Sequence, residues 1–481
     1  VVQRIGDVGA GHHQHAFGRH QRREACDGVG DQRALVHEGK ELLGAPGRTE
    51  RPEAGADAAG EDHGPERRAR ITQGLEFEVL HRAGNRRGLD EHGGRDMGSD
   101  SAGLRHRGSG MKNTKGRPQY KHPWQLAHLL GYGQHTWAML TLHLTNGDSA
   151  ASALARSGLP GDIVSWRDVL HDGPVPPDDD LRVFHRVRAE FLAGRGWSNL
   201  LAAITDFEER DARLDDVGAG DEVVLWFEPD LYDQLQLIQI LARFERRAPS
   251  ERPRLTIVPA DCYLGPMLPE KFAPLYAARR EITPEDLVHG RVTWRAFTSS
   301  TPDELLAVTN RLDREVTART YTSDDLVRLP HLVAALRRQL EEYPDTDAGL
   351  SRSERQLCEA LSPGAITLGK LFGAYQGTES WVWLGDVSFA WYAERLSDCA
   401  HPIVVHTNGS RVIAPLRATD GRAFWERTVQ LTSFGQDVVR ARADAVRANG
   451  IDRWIGGTHC TKAQYWRWDA RTQRTELVPC T

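Results

Sequence analysis

The sequence lacks the signals by which several classes of protein are recognised. Its six cysteines include no C-x-x-C pair, which argues against a structural zinc site and is typical of a reducing compartment. No apolar run approaches the roughly 20 residues needed to cross a bilayer, and the first residues lack the apolar stretch of a secretory signal. The motifs G-x-S-x-G and H-E-x-x-H and the Walker loop are also missing. We therefore expect a cytoplasmic protein with no membrane partner and no known catalytic signature.

Aromatic side chains are scarce at the start of the chain. Residues 1 to about 110 contain no tryptophan or tyrosine and only two phenylalanines. Such a segment cannot bury enough apolar surface to offset the entropy of ordering it. We predict that residues 1–138 are disordered or a spurious extension, with Met139 as the true start and Met111 as a second candidate.

From Met139 onward, short apolar runs alternate with amphipathic stretches. The runs with strand character cover residues 140–144, 161–166, 221–227 and 254–261, and helical patterns follow at 149–158, 181–193, 198–214 and 231–244. This alternation predicts an α/β domain over residues 139–329, with a mostly parallel sheet and covering helices. The net charge of −6 gives no overall electrostatic reason to expect nucleic acid as a partner.

Polar residues follow each of the predicted strands. Ligands of open α/β sheets bind outside the carboxyl ends of the strands, so we expect these side chains to meet in one site. The first three groups supply the predicted ligand-binding and catalytic residues, namely Asn146, Gly147, Asp148 and Ser149, then Arg167, Asp168 and His171, then Glu228, Asp230, Asp233 and Gln234.

Helix capping is an alternative interpretation for several of these residues. Asp148 or Ser149 is placed to cap the first helix, and Asp230 precedes another helix as an N-cap would. Asp233 falls in the first turn of that helix, where the dipole favours negative charge. Capping does not explain Glu228, which ends an apolar strand and would be costly to bury without a partner.

Solvent exposure is the alternative for others. His171 lies in the turn-like HDGP, where it is either exposed or a general acid or base. Gln234, Gln236 and Gln239 are expected to face water on their helix if they have no role at the site. NGDS lacks the lysine of a phosphate-binding loop, so it is a weak anion-site signal.

Three long motifs carry a resemblance to a known family. HLTNGDSA, WRDVLHDGPVP and VVLWFEPDLYDQLQLIQIL together resemble the bacterial family catalogued as domain of unknown function 1835, from about residue 140 to the C-terminus. The family is uncharacterised, so the resemblance implies no chemistry, but its signature residues are those at the strand ends together with Trp166. This sequence has Pro229 where the family often has histidine, and the resemblance assigns no role to that position.

The C-terminal half predicts a second unit. Residues 330–350 are expected to form a linker helix, and residues 351–481 a winged-helix-like domain. Its three helices would be SERQLCEAL, TLGKLFGAYQ and GDVSFAWYAERL, followed by the hairpin PIVVHTNGSRVIAPL with Asn408–Gly409 at the turn. DNA binding has little support, because Arg395 is the one residue that the third helix offers for contacts with base edges and phosphates. The aromatic ending, which includes YWRWD, either packs into the core or closes the cleft of the first domain.

Three functions remain open on this sequence. The leading hypothesis is a module that binds a small phosphorylated or nucleotide-like molecule at the strand ends and couples it to the winged-helix-like domain. A hydrolase or transferase is the first alternative, with Glu228 or Asp230 as base or metal ligand, His171 as acid and Arg167 steadying an anion. A DNA-binding regulator is the second. The sequence assigns no cofactor, no metal site beyond that alternative, and no oligomeric state.

Overall fold

The computed structural model describes residues 139–319, 329–415 and 421–479. The prediction for residues 1–138 concerns a part of the chain that lies outside these residues. All bounds below refer to the described residues alone.

Five strands form the main sheet, in the spatial order β2-β1-β3-β4-β5. The first four pair in parallel, and β5 joins β4 antiparallel. The strands are β1 Thr141–Thr145, β2 Asp162–Ser165, β3 Glu222–Trp226, β4 Arg254–Ile257 and β5 Arg280–Glu281. The predicted α/β fold with a mostly parallel sheet is therefore confirmed.

Helices cover both faces of this sheet because the apolar residues of the strands alternate between the two sides. In β3, Val223 and Leu225 belong to the main buried cluster, while Val224 and Trp226 belong to a second one. The helices of this half are α1 Asp148–Arg156, α2 Leu181–Gly194, α3 Leu200–Asp215, α4 Leu231–Glu245, α5 Phe272–Ala277, α6 Pro284–Phe297 and α7 Pro302–Arg319.

Side-chain caps start most of these helices, although one cap differs from the sequence-based expectation. Asp230 caps α4 as predicted, accepting a hydrogen bond from the Asp233 amide. Asn199 caps α3 with its side chain. The N-cap of α1 is Gly147, with no side-chain cap, so the expected capping by Asp148 or Ser149 is wrong. Asp148 is drawn away from the helix by the Arg167 guanidinium.

The C-terminal half contains the three predicted helices. The order of elements is α8 Leu332–Leu340, α9 Arg352–Ala360, β6 Ile366–Thr367, α10 Leu368–Gln376, α11 Asp386–Ser397, β7 Val404–His406, α12 Gly421–Glu426, β8 Thr428–Leu431, α13 Ser433–Val439, α14 Ala445–Asn449, β9 Arg453–Ile455, β10 Thr458–Cys460, β11 Gln464–Asp469 and β12 Arg474–Pro479. A capping box of Ser351 and Glu354 starts α9.

The predicted hairpin after α11 is only half correct. The chain turns at Gly409, whose φ is +82°, but residues 411–415 form no strand. The Val412 amide donates instead to the Ser397 hydroxyl at the end of α11, at 2.8 Å. The antiparallel partner of β7 is therefore β8, and the small sheet has the order β6-β8-β7.

One buried apolar cluster extends through both halves of the described chain, from Leu142 in β1 to Trp468 in β11. The aromatic ending contributes to it, since Tyr465, Trp466 and Trp468 are each at most 8% exposed. Core packing is thus the role the structure gives to YWRWD. Among the described residues, no helix has both the length and the apolar content required to traverse a bilayer.

Candidate functional site

A cavity lies where the order of the main sheet reverses. The chain passes from β1 to β2 on one side and then returns to β3 on the other side of β1. At such a switch point the loops after the two central strands diverge and leave a crevice at their carboxyl ends. Residues that follow β1 and β3 line a cavity there with a volume of about 120 Å³.

The loop after β1 forms one wall of the cavity. Asn146, Gly147, Asp148 and Ser149 all line it, as the sequence predicted for a common site. The Asn146 amide also donates a hydrogen bond of 2.7 Å to an oxygen of Asp233 in α4. This bond fixes the end of β1 against the start of α4, so that the two loops form one rigid rim.

The loop after β3 brings three carboxylates together. Glu228 and Asp230 line the cavity, and Asp233 lies behind them, fully buried. Their carboxylate oxygens lie within 4.8 Å of one another. One Glu228 oxygen accepts from the Leu264 amide at 2.7 Å, which orients the side chain.

Two residues of α4 position this loop from behind. Asp233 accepts from the Glu228 amide, and the Gln234 side chain donates to the Glu228 carbonyl at 2.8 Å. Neither residue lines the cavity. The structure thus places predicted ligand-binding residues Asp233 and Gln234 under the site rather than at its surface.

The ionisation of Asp233 is perturbed. Burial raises its pKa well above the ordinary value, and the negative charge of Asp230 adds to this effect, against the hydrogen bonds from Glu228 and Asn146. A carboxylate held near other carboxylates in a low-dielectric site favours the binding of a proton or a cation.

His171 is buried in the same cavity, so the expectation of an exposed imidazole is wrong. The residue is 3% exposed and lines the cavity, and neither ring nitrogen makes a hydrogen bond with the described residues. Its Nε2 lies 3.4 Å from an oxygen of Asp172. The Trp383 ring packs edge-on against the imidazole, with centroids 4.8 Å apart.

The opposite wall comes from the C-terminal half, which sequence reasoning had not assigned to the site. The segment 382–388, at the start of α11, lines the cavity together with Phe372 and Gln376 of α10. Aromatic residues of the first half, Trp197, Tyr232 and Tyr263, line it as well. The available signal was the pair of tryptophans in WVWLGDVS, directly before a helix.

Two further predicted ligand-binding residues lie outside the cavity lining. The Arg167 guanidinium is held by ion pairs to Asp148 and Asp206. The Asp168 carboxylate accepts from the fully buried Arg188 at 2.7 Å. Both residues therefore tie the loop after β2 to the rest of the fold.

The glutamines of α4 do not face water, contrary to expectation. Gln234, Gln236 and Gln239 are each at most 3% exposed. Gln239 accepts from the Trp166 indole at 2.8 Å, and Gln236 donates to the Asp168 carbonyl at 3.1 Å. Their amides satisfy buried polar groups of the loop after β2, a role that helical periodicity does not reveal.

A buried hydrogen-bonded network, which we call the arginine network, begins next to His171. The Tyr392 hydroxyl of α11 lies 3.2 Å from an oxygen of Asp172 and 3.2 Å from an oxygen of Glu342. Arg453 donates to both Tyr392 and Glu342 at 2.8 Å. Burial raises the pKa of Asp172, but the charges of His171 and Arg453 outweigh it and leave that pKa low.

The site combines an acidic and amide wall with an aromatic wall. Carboxylate and amide oxygens bind cations and hydroxyl or amine donors, while tryptophan and tyrosine rings pack on flat or apolar groups. No lysine or arginine is among the described residues that line the cavity.

No family model matches the chain, and a search of curated proteins finds no relative.

Proposed function

We propose that the protein binds a small phosphorylated or nucleotide-like molecule in the strand-end cavity and couples its binding to the C-terminal half. The observation that carries this proposal is the single cavity lined both by the loops after β1 and β3 and by the start of α11. We also propose membership of the family catalogued as domain of unknown function 1835, on the motifs quoted above, and a location in the cytoplasm.

The size of the cavity limits the ligand. A volume of about 120 Å³ is close to the ~150 Å³ of a cavity that holds one benzene ring. A nucleobase or a single sugar ring is therefore the largest group that we expect it to enclose. Trp197, Tyr263 and Trp383 supply aromatic rings to the cavity lining, and such a ring would pack on this aromatic wall.

The arginine network supports the coupling. It links Asp172, beside the cavity, through Tyr392 of α11 to Glu342 after α8. A ligand that moves His171 or the start of α11 therefore disturbs buried charge pairs outside the cavity. Because buried pairs tolerate little displacement, this contact favours a two-state response over a gradual one.

The C-terminal topology supports a winged-helix-like interpretation. The elements α9, β6, α10, α11 and β7 follow one another, β8 comes after the short helix α12, and the sheet order is β6-β8-β7. The third helix of this set is largely buried, and its Arg395 pairs with Glu354. These contacts favour an intramolecular use of the fold over DNA binding.

A thermal-shift experiment tests ligand binding. We expect adenosine monophosphate or ribose 5-phosphate to raise the melting temperature of the full chain, because a ligand present at 100 times its Kd stabilises by about 2.7 kcal/mol. The variant Val387→Trp places a large ring on a half-buried residue of the cavity wall and should abolish the shift.

Val288→Trp is the matched control. Val288 is 41% exposed on α6 and does not line the cavity, so this variant should keep the full shift. If both variants respond to the nucleotide and the sugar phosphate as the unmodified chain does, binding occurs elsewhere and the proposal fails.

A hydrolase or transferase is the second candidate, favoured by the burial of His171 beside Asp172 in the same cavity as Glu228 and Asp230. An imidazole held next to a carboxylate can move a proton, and a second carboxylate can act as base. Turnover of a bound compound, lost in both Glu228→Gln and His171→Gln while the melting temperature is kept, would support this candidate. Binding without turnover in the unmodified chain would contradict it.

A further inference from the structure

We propose that Glu228, Asp230 and Asp233 bind one hard divalent cation of the Mg²⁺ type at the base of the cavity. This inference rests on the proposed function, because the cation would bridge the acidic wall to the phosphate of the ligand.

The spacing of the three carboxylates suits such an ion. Oxygen ligands lie about 2.0–2.6 Å from Mg²⁺ or Ca²⁺, so two oxygens on opposite sides of one ion are roughly 4–5 Å apart. The ligand oxygens of Glu228, Asp230 and Asp233 all lie within 4.8 Å of one another. One ion can therefore contact all three without movement of the backbone.

Hydrogen bonds orient all three carboxylates. One oxygen of Asp230 accepts from the Asp233 amide, and one oxygen of Glu228 accepts from the Leu264 amide. The two oxygens of Asp233 accept from the Asn146 side chain and the Glu228 amide. These hydrogen bonds act as the outer contacts that hold metal-ligating carboxylates in place.

His171 gives an independent indication of a polar ligand in this cavity. Its ring is 3% exposed and lines the cavity, its Nε2 faces Asp172 at 3.4 Å, and its Nδ1 has no hydrogen-bond partner among the described residues. A buried polar atom without a partner costs about 1–3 kcal/mol. A water molecule on the cation, or an oxygen of the bound phosphate, would supply the partner.

Electrostatics favours a cation over a bare anion at this position. Asp148, Glu228, Asp230 and Asp386 line the cavity, and no lysine or arginine does so among the described residues. A divalent ion held by these carboxylates would attract the phosphate of the ligand.

Mn²⁺ alone is the probe, since its free and bound forms are distinguished by electron paramagnetic resonance. We expect one saturable Mn²⁺ per chain, competed by Mg²⁺. Glu228→Gln and Asp230→Asn should each weaken Mn²⁺ binding at least tenfold, because each removes one charged ligand. Asparagine still caps a helix, so Asp230→Asn keeps the start of α4.

Glu270→Gln is the matched control, because Glu270 is an exposed glutamate outside the cavity lining, and it should bind Mn²⁺ as the unmodified chain does. Melting temperatures verify that every variant is folded. Should either cavity variant fail to fold, the other gives the answer. The inference is overturned if the unmodified chain shows no saturable Mn²⁺ binding, or if the folded cavity variants bind Mn²⁺ unchanged.

This outcome is separate from that of the proposed function. Mn²⁺ binding without any nucleotide or sugar phosphate tests the cation site, whereas thermal shifts measured both in Mg²⁺ and in EDTA test the organic ligand. A cation site with no ligand response leaves this inference intact and contradicts the proposed function. A ligand response in EDTA without Mn²⁺ binding supports the proposed function and overturns this inference.

Discussion

Two regions of the molecule bury carboxylates equally deeply but shift the pKa of these carboxylates in opposite directions. In the arginine network, burial raises the pKa of Glu342, but Arg338 and Arg453 outweigh it and hold that pKa far below its ordinary value. In the strand-end cavity, burial and the charge of Asp230 raise the pKa of Asp233. Both carboxylates have 0% exposure.

This difference distinguishes carboxylates that stabilise the fold from carboxylates that belong to a ligand site. A buried carboxylate matched by arginines within the fold has no need of a further partner, and its role is to fix the packing of the elements around it. A buried carboxylate whose pKa is raised, placed directly behind the carboxylates of a cavity, is typical of a functional site. Depth of burial alone would not distinguish the two regions.

The largest expected effect is the loss of charge compensation in the arginine network. Glu342→Gln leaves Arg453 buried without its carboxylate and removes one of the two carboxylates paired with Arg338, which keeps Glu379. The free energy of unfolding should therefore fall by about 3–5 kcal/mol. Urea unfolding measures this change. The control Glu359→Gln alters an exposed glutamate and should stay within about 0.5 kcal/mol. A similar loss in both variants would contradict the distinction.

A smaller loss is expected where the network meets the cavity. Tyr392→Phe removes the hydroxyl that lies beside both Asp172 and Glu342, and it should cost about 1–3 kcal/mol of unfolding free energy. Tyr276→Phe is the matched control, since no hydrogen bond of the Tyr276 hydroxyl is found among the described residues. Equal stabilities of the two variants would show that the hydrogen bonds of the Tyr392 hydroxyl do not contribute to the free energy of unfolding.

The two regions should also respond to pH with opposite sign. The folded pKa of Asp233 is raised, so its contribution is most favourable below the ordinary value of 3.8 and is lost as the pH rises through the folded pKa. In EDTA, the unmodified chain should therefore lose stability relative to Asp233→Asn as the pH rises from about 4 towards 8.

Glu342 should show the opposite dependence of stability on pH. Its folded pKa is lowered, so its contribution is complete above the ordinary value of 4.5 and is lost as the pH falls towards the folded pKa. The stability difference between the unmodified chain and Glu342→Gln should thus shrink below about pH 4.5. Denaturant midpoints across this pH range measure both differences, and parallel pH profiles would refute the contrast.

The smallest effect is expected from deletion of residues 1–138. The composition of that segment predicts no buried core, so both regions should keep their stability, measured as an unchanged denaturant midpoint. Aggregation of the shortened chain would contradict this prediction.

Much of the α/β half could be predicted from the sequence because its signals are local. The alternation of apolar runs with amphipathic stretches located β1 to β4, and the polar residues after β1 and β3 identified the wall formed by Asn146 and Glu228. Parallel strands all have their carboxyl ends at the same edge of the sheet, so this inference needed no knowledge of long-range contacts.

The rest depended on contacts between distant parts of the chain. Gln239 is buried because Trp166, 73 residues away, needs an acceptor, and a polar residue on a helix gives no sign of this. Trp383 lines the cavity because α11 packs against the strand ends. Asp148 does not cap α1 because Arg167 binds it. Pairings of this kind are set by tertiary structure and leave no periodic pattern.

Crystals grown with Mn²⁺ and ribose 5-phosphate give the most direct test of the central claim that the strand-end cavity is a ligand site. The account predicts an anomalous manganese peak beside Glu228 and Asp230, and sugar-phosphate density between Asn146 and Trp383. Density for ribose 5-phosphate and manganese at another surface, with the cavity side chains closed on one another, would contradict it.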